Sequence, residues 1–248
     1  MKILITGASS GIGRDLAREL SKKGHSLILT ARRKNRLEEL KTELPNCKII
    51  TADLSKEDEV FYLYEKTKNE DIDVLINNAG FGLFGEFSKT DLVRETEMID
   101  LNIKAVHILT KLFLKDFKQK NSGYILNVAS SAAFLPGPMM STYYSTKAYV
   151  QRLSLAISEE LKKEKSNVYI GTFCPGPVKT EFNSVADVKF SLKEISSEYA
   201  AKYAVKNMFK KKILIVPGKL VKLGVFFQRF VPTKLLLSIS YNIQKRKS

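Results

Sequence analysis

Short apolar segments alternate along this chain with longer segments in which apolar residues recur every three or four positions. The short segments are almost uninterrupted and rich in Ile, Leu and Val, which is typical of strands buried on both faces of a parallel sheet. Seven strands are therefore predicted, over Ile3–Thr6, Ser26–Thr30, Lys48–Thr51, Val74–Asn77, Tyr124–Val128, Val168–Phe173 and Ile213–Val216.

The longer segments have the length and the period of amphipathic helices. Residues three or four apart share one helix face, and three apolar stripes follow this rule: Ile12, Leu16 and Leu20; Leu37, Leu40 and Leu44; Val150, Leu153, Ile157 and Leu161. The alternation predicts an α/β fold over residues 1–217, a single-domain, Rossmann-type, doubly wound parallel sheet with helices on both faces.

Residues 218–248 do not continue this alternation. Apolar side chains are interspersed there with Lys and Arg, and the chain ends in Lys245, Arg246 and Lys247. We predict a basic, apolar, helical C-terminal extension, with two alternatives for its role. It covers the substrate cleft or packs on the core, or it lies on an anionic membrane surface with Phe226, Phe227 and Phe230 inserted.

Composition indicates a folded globular protein, because 44% of the 248 residues are hydrophobic and 27% are charged. The formal net charge is +15, but the basic residues are scattered and no nucleic-acid-binding motif is recognisable, so no nucleic acid is expected. The two cysteines form no CxxC pair, and the two histidines are too isolated for a typical zinc site. We therefore expect no metal. With neither a signal peptide nor a long apolar stretch, a cytoplasmic location is predicted.

A glycine-rich turn joins the first predicted strand to the first predicted helix. Its pattern, TGxxxGxG, lets the backbone approach a pyrophosphate closely, and the helix start favours the anion. The alternative is a tight turn without a ligand, which the position between strand and helix disfavours. The predicted cofactor-binding residues are Gly7, Ser9, Ser10, Gly11, Ile12 and Gly13.

The second predicted strand is followed by Arg32 and Arg33, where an acidic residue would bind the ribose of NAD. Arginine at this turn suits a 2′-phosphate, so NADP(H) is preferred over NAD(H). The alternative is that these arginines begin the solvated face of the next helix. Asp53 and Leu54 follow the third strand and are expected near the adenine, although Asp53 could instead cap a helix.

Four further segments carry polar groups in a fixed order. Asn77-Asn78-Ala79-Gly80 ends the fourth strand, Asn102 lies in a helical stretch, and Ser130 follows the fifth strand. Tyr143 and Lys147 are four apart and share a helix face. With TGxxxGIG and the Pro175-Gly176 step, this set resembles the short-chain dehydrogenase/reductase superfamily over residues 1–216. Ser130 precedes Tyr143 by the interval usual in that family, whereas Tyr144 is followed four residues later by Ala148 instead of lysine.

The chemistry of these residue types is consistent with hydride transfer. The alkoxide formed when hydride adds to a carbonyl needs a proton, which Tyr143 can supply as general acid or take back as general base. A neighbouring Lys147 ammonium favours the phenolate, and Ser130 can donate a hydrogen bond to the substrate oxygen. The resemblance further implies that Lys147 holds the nicotinamide ribose and that Asn102 holds a water linking Lys147 to solvent.

The resemblance and the strand ends together complete the predicted cofactor site. Besides Tyr143 and Lys147, its remaining members are Asn78, Ala79, Gly80, Pro175, Gly176, Val178 and Thr180. We expect an NADP(H)-dependent oxidoreductase acting on a carbonyl or alcohol, and a homo-oligomer. A non-catalytic NADP-binding regulatory protein is the alternative, although such a protein would be expected to lack Tyr143 or Lys147.

The predicted substrate pocket is apolar, which favours a hydrophobic carbonyl or alcohol. In the alternative, the same side chains only pack loops against the core. The candidates are Phe81, Leu83, Phe84, Phe134, Leu135, Pro136, Met139, Met140, Phe182 and Phe190.

Overall fold

A twisted parallel sheet forms the centre of the protein, in a computed structural model that describes residues 1–182, 186 and 194–245. Its strands are β1 (Lys2–Thr6), β2 (Ser26–Ala31), β3 (Cys47–Thr51), β4 (Val74–Asn77), β5 (Tyr124–Val128), β6 (Tyr169–Phe173) and, numbered after a small separate pair, β9 (Leu214–Ile215). Among the described residues they form a seven-stranded sheet in the order β3-β2-β1-β4-β5-β6-β9, and every pairing is parallel. The predicted fold class is confirmed.

Helices cover both faces of the sheet. They are α1 (Gly11–Ser21), α2 (Lys34–Glu43), α3 (Glu57–Thr67), α4 (Leu92–Ile99), α5 (Val106–Gln119), α6 (Ser141–Lys163), α7 (Ser197–Met208), α8 (Lys219–Phe227) and α9 (Thr233–Lys245). A π-helical turn, Asp100–Ala105, joins α4 to α5, and short 3₁₀ turns span Ser131–Phe134 and Gln228–Phe230.

The side chains of β1 show how one apolar run supports two helical layers. Ile3 and Ile5 face a buried cluster that includes Leu16 of α1. Leu4 points to the opposite face, into a second buried cluster that includes Phe113 of α5. Successive residues of a strand alternate between faces, so a strand between two helical layers must be apolar throughout. Burial of each such side chain is worth about 1.5–3 kcal/mol.

Two local features differ from the sequence-based expectation. Leu44 was predicted on the helical stripe with Leu37 and Leu40, but α2 ends at Glu43 and Leu44 is extended, with φ −116°. It is nevertheless buried. A two-stranded pair, β7 (Val178–Lys179) with β8 (Ile195–Ser196), was not predicted, because two residues carry no periodic signal.

Within the extension predicted for residues 218–248, the described residues form the helices α8 and α9. It packs on the domain in at least two places: Val221 lies against Gly176, and Lys222 donates a hydrogen bond to the Tyr203 hydroxyl at 2.9 Å. None of the described helices is long and apolar enough to cross a membrane.

Candidate active site

A cleft of about 840 Å³ lies at the carboxyl ends of the strands, where open α/β sheets bind ligands. Of the predicted site residues, two do not line it, Gly13 and Asn102. All of the others do: Gly7, Ser9, Ser10, Gly11, Ile12, Arg32, Arg33, Asp53, Leu54, Asn78, Ala79, Gly80, Ser130, Tyr143, Lys147, Pro175, Gly176, Val178 and Thr180.

The turn between β1 and α1 has little free space beneath it. Gly7 adopts φ +65°, and a Cβ there would lie 2.7 Å from the Cα of Ala79. The Asn78 amide donates to the carbonyl oxygens of Thr6 and Gly7, at 3.0 and 3.2 Å. Asn78 therefore binds the end of β4 to the turn, a positioning role that the sequence did not indicate.

Gly13 was predicted to bind the cofactor, but the structure gives it a packing role. A Cβ at Gly13 would lie 2.3 Å from the carbonyl oxygen of Gly7 and 2.4 Å from the Asn78 amide nitrogen. Only a residue without a side chain lets α1 begin this close to the turn.

Arg33 forms the basic end of the cleft. Its guanidinium donates to the hydroxyl of Ser10 at 2.8 Å and to that of Ser9 at 3.2 and 3.3 Å. Ser10 immediately precedes α1 and its side chain does not cap the helix. Arg32 lies 3.9 Å from the carboxylate of Asp53. Both arginines thus line the cleft, and their predicted contact with a 2′-phosphate stays a prediction.

Asp53 does not cap α3. Its carboxylate accepts hydrogen bonds from the backbone amide of Ser55 at 3.2 Å and from the Ser55 hydroxyl at 2.8 Å. The residue before α3 is Lys56, which makes no side-chain cap. Asp53 therefore shapes a turn at the edge of the cleft.

Glu181 is a site residue that sequence reasoning missed. Its carboxylate accepts from Arg33 at 2.8 Å and also pairs closely with Arg36. The two guanidinium groups lower the pKa of Glu181 to about 2. Glu181 is 148 positions from Arg33 along the chain, so no local pattern could have revealed this contact.

Tyr143 lies in the middle of the cleft and is almost fully buried, with 8% exposure. Burial raises the pKa of its phenol, and a hydrogen bond with Ser130 partly offsets this rise. The Ser130 hydroxyl also accepts from the Ala132 amide at 3.1 Å, which caps the following 3₁₀ turn. Ser130 therefore both ends the β5 loop and contacts the tyrosine.

Lys147 lies one turn along α6 from Tyr143. Its Nζ is 5.9 Å from the centre of the Tyr143 ring and donates to the Val128 carbonyl at 3.0 Å. Burial lowers the pKa of Lys147 to about 8. Burial of the phenol sets the net direction of its pKa shift in this structure, and the expected lowering of the Tyr143 pKa by Lys147 stays a prediction.

Asn102 lies behind the cleft in the π-helical turn, with 0% exposure. Its side chain accepts from the Phe81 amide at 3.1 Å and donates to the Phe81 carbonyl at 2.9 Å and to the Thr146 hydroxyl at 3.1 Å. It thereby connects the loop after β4 to α6 next to Lys147. Its predicted part in a proton relay stays a prediction.

A buried polar network supports the strands that carry the site, and the sequence did not reveal it. The Asn77 amide donates to Asn127 at 2.8 Å and to Thr110 at 3.1 Å. Asn127 in turn donates to the Ser154 hydroxyl of α6 at 3.0 Å. These bonds connect β4 and β5 to α6, the helix of Tyr143.

The remainder of the cleft is apolar. Of the predicted pocket residues, Phe81, Leu135, Met140 and Phe182 line it, and the Phe182 ring is 5.2 Å from that of Tyr143. Phe190 is outside the described residues. The others do not line this cleft: Leu83, Phe84, Phe134, Pro136 and Met139.

The C-terminal extension completes this apolar wall. Val221 and Val225 of α8 and Leu236 of α9 line the same cleft as Tyr143. Gln244 of α9 donates a hydrogen bond to the hydroxyl of Tyr144. Of the two roles considered for the extension, covering the cleft is therefore observed.

The sequence model described as short chain dehydrogenase matches residues 1–189 of this chain. The chain belongs to the short-chain dehydrogenase family. It is an oxidoreductase of that family, and the sheet order and cleft described above are consistent with this membership.

Relatives of known name support the same conclusion. The dehydrogenase is 36% identical over 191 residues to the NADP-dependent 3-hydroxy acid dehydrogenase of Salmonella typhi, covering 75% of this chain and 76% of the relative. It is 34% identical over 184 residues to human 17-beta-hydroxysteroid dehydrogenase type 3, covering 71% of this chain but 59% of that protein.

A solved structure extends the similarity to three dimensions. The short-chain dehydrogenase from Sphingobium yanoikuyae in complex with NADPH superimposes with a TM-score of 0.83 at 29% identity. The match covers 88% of each chain. A nicotinamide cofactor is therefore supported for this dehydrogenase.

Lys147 should give the dehydrogenase a pH-dependent stability. Between pH 8 and the ordinary lysine pKa of 10.5, the folded chain binds fewer protons at Lys147 than the unfolded chain does. Its contribution to the free energy of unfolding is therefore unfavourable at neutral pH and improves as the pH rises through this window. Relative to Lys147→Met, we expect the parent to gain up to roughly 3 kcal/mol between pH 7 and pH 10.

Urea unfolding of both proteins at these two pH values, without added cofactor, measures the difference. Comparison with Lys147→Met cancels the buried thiols and phenols, which also titrate in this range. An identical pH dependence in the two proteins would contradict the lowered pKa.

Proposed function

We propose that this dehydrogenase uses NADP(H) to transfer a hydride between nicotinamide and a carbonyl or alcohol group of a hydrophobic substrate, with Tyr143 as general acid and base. The observation that carries the proposal is that one cleft joins the glycine turn of β1 to Tyr143, Lys147 and Ser130. A protein that only bound NADP would not need this second group of residues.

The described residues fit a dinucleotide. The backbone at Gly7 leaves no room for a Cβ, and α1 begins without a side-chain cap, so its first amides can bind a pyrophosphate. We propose that the 2′-phosphate of NADP(H) binds at Arg33 and Arg32, because guanidinium groups form charge-assisted hydrogen bonds with phosphate. The NADP in the names of a relative and of a structural neighbour supports this preference.

When bound, the nicotinamide supplies or accepts the hydride, and the protein handles the proton. Burial raises the pKa of Tyr143, which favours the protonated phenol, and this phenol is the group proposed to donate a proton to a substrate oxygen during reduction. Ser130, which hydrogen bonds to Tyr143, is placed to donate to the same oxygen. Lys147, kept close by the Val128 carbonyl, stabilises the phenolate left after proton donation.

The substrate is proposed to be apolar. Phe81, Leu135, Met140 and Phe182 surround the space beside Tyr143, together with the inner side of the extension. Such a lining favours bulky, lipid-like ketones or alcohols over small polar ones. The name of the human steroid dehydrogenase supports the same class of substrate.

The proposal is tested by a screen of apolar ketones, aldehydes and alcohols, in which nicotinamide absorbance is followed with both cofactors. We expect turnover of at least one apolar ketone or aldehyde, with a higher kcat/KM for NADPH than for NADH. NADPH binding without turnover of any compound would favour the non-catalytic NADP-binding regulator instead.

Assembly into a homo-oligomer and a cytoplasmic location stay predictions from the sequence. Contact of the C-terminal extension with a membrane is a third prediction, and the surface of the extension carries an argument for it.

A further inference from the structure

The C-terminal extension, residues 219–245, exposes many apolar side chains. Of the twenty large hydrophobic side chains that are exposed in the described part of the chain, ten belong to these 27 residues. They are Leu220, Leu223, Phe226, Phe227, Phe230, Leu235, Leu237, Ile239, Tyr241 and Ile243. A group of exposed apolar side chains this large within one short segment marks a site of interaction with a partner or a membrane.

Aromatic rings lie together at the turn between α8 and α9. Phe226 contacts Phe227 and Phe230, with ring centres 5.3 and 5.7 Å apart. The exposed fractions of the three side chains are 50%, 57% and 71%. No residue of α8 is fully buried, so this helix gains little from the core of the domain. The cluster is therefore an exposed wedge that a partner could bury.

The charge of the extension selects the kind of partner. From residue 219 to the end, the sequence contains no Asp or Glu and seven basic residues: Lys219, Lys222, Arg229, Lys234, Lys245, Arg246 and Lys247. A second copy of this chain would bring the same positive charges together. A nucleic acid duplex would match the charge, but its bases are already stacked and would leave the Phe cluster exposed. Anionic lipid matches both features, because its headgroups are negative and its acyl chains are apolar.

The apolar surface continues from the outside of the extension into the cleft. Leu220, Ile239 and Ile243 are 84%, 42% and 41% exposed, and the same three residues line the cleft of Tyr143. An apolar molecule could therefore pass between the outer surface and the cleft without crossing a polar rim at this point.

We propose that the C-terminal extension docks the dehydrogenase on the surface of an anionic lipid bilayer, so that the apolar substrate enters the cleft from the lipid. The entry route rests on the proposed function, whereas the docking does not. Phe226, Phe227 and Phe230 insert between the headgroups, the exposed Arg229 and Lys234 contact the lipid phosphates, and α8 and α9 form the wall between bilayer and cleft.

Docking is tested by sedimentation of the full chain with vesicles of phosphatidylcholine alone or with about one third phosphatidylserine. We expect binding to the anionic vesicles that weakens on addition of salt, and little binding to the neutral ones. The double variant Phe226→Ser, Phe230→Ser should lose roughly tenfold or more in vesicle affinity. The matched control is Phe87→Ser, at a residue that is 67% exposed but outside the extension and the cleft; it should bind like the parent.

Several results would overturn the docking proposal. The first is that the parent does not bind anionic vesicles. The second is that it binds neutral and anionic vesicles equally well, and the third is that the double variant binds anionic vesicles as tightly as the parent does. If the parent does not bind vesicles but forms a dimer, and the double variant is a monomer, the surface would be assigned to contact with a second copy instead. The urea unfolding midpoints of the variants verify that each is folded, so a loss of binding is not mistaken for a loss of structure.

Entry from the lipid is tested separately, with an apolar ketone that the screen has identified as substrate. At equal total ketone, anionic vesicles should increase the parent's rate several-fold over neutral vesicles, and this increase should disappear in the double variant. Equal rates with both vesicles would overturn the entry route. If vesicle binding is found but no carbonyl compound turns over, the proposed function fails and the docking surface stands.

Discussion

We expect Tyr143→Phe to abolish measurable turnover while the affinity for NADPH stays within a few-fold of the parent. The substitution removes only the hydroxyl group, which is the proton donor in the proposed reaction. General acid–base catalysis typically contributes 10²–10⁴-fold to a rate, so the loss in kcat should be at least on the order of 10²-fold. Steady-state turnover and NADPH titration by nicotinamide fluorescence measure the two quantities.

The control for this prediction is Tyr149→Phe. Tyr149 lies on the same helix α6, but its hydroxyl is hydrogen bonded to His107 at 2.8 Å outside the cleft. This variant should retain the parent's kcat. If Tyr143→Phe keeps turnover within a few-fold of the parent, another group donates the proton and the assignment of Tyr143 is wrong.

The second large effect is expected at the basic end of the cleft. Arg33→Ala and Arg32→Ala should each raise the Kd for NADPH far more than that for NADH, because only NADPH carries the 2′-phosphate. A hydrogen bond to a charged group contributes about 1.5–3 kcal/mol, which corresponds to roughly tenfold or more in Kd. Arg33 also contacts both serines of the glycine turn, so its replacement should in addition cause a smaller loss that NADPH and NADH share.

Isothermal titration with both cofactors measures these constants. Lys34→Ala is the matched control, since Lys34 is an adjacent exposed cation that does not line the cleft. Equal losses for NADPH and NADH in the arginine variants would assign these residues to general surface charge. An effect of Lys34→Ala as large as that of Arg33→Ala would point to non-specific attraction of the cofactor.

The sheet and most of the cleft were predictable because their signals are local. The run Ile3–Thr6 is buried on both faces, and such a strand leaves an unbroken apolar segment in the sequence. The turn at Gly7 and the pair Tyr143 and Lys147 are likewise defined by spacings of a few residues. Parallel strands then bring these separate motifs to one edge, which follows from topology alone.

Contacts between distant segments were not predictable from the same signals. Asn78 and Gly13 belong to a recognisable motif, but only the structure shows that they fit against Gly7 and hold the turn. The pKa of Tyr143 is a further example, because it depends on burial more than on the neighbouring Lys147. Burial is a property of the assembled fold, and a four-residue spacing does not contain it.

The extension lies between these two cases. Its sequence predicts a basic, apolar, helical segment, and the structure shows helices with exposed apolar side chains there. Which side covers the cleft depends on contacts such as that of Gln244 with Tyr144, which are 100 positions apart.

The pairing of Glu181 with Arg33 and Arg36 changes how the cofactor would be received. If NADPH binds at this end of the cleft as proposed, its 2′-phosphate would replace the Glu181 carboxylate on Arg33 and would not meet an unpaired cation there. The affinity gained from the 2′-phosphate is then the difference between two ion pairs, and its dependence on salt is weaker than the number of arginines suggests. Because Arg36 and Arg33 lower the pKa of Glu181 to about 2, its carboxylate is ionised near neutral pH and would compete with the phosphate for the arginines. Phe182 directly follows Glu181 in the chain, and its ring is 5.2 Å from that of Tyr143. Displacement of the Glu181 carboxylate would therefore move a residue that packs against the proposed proton donor.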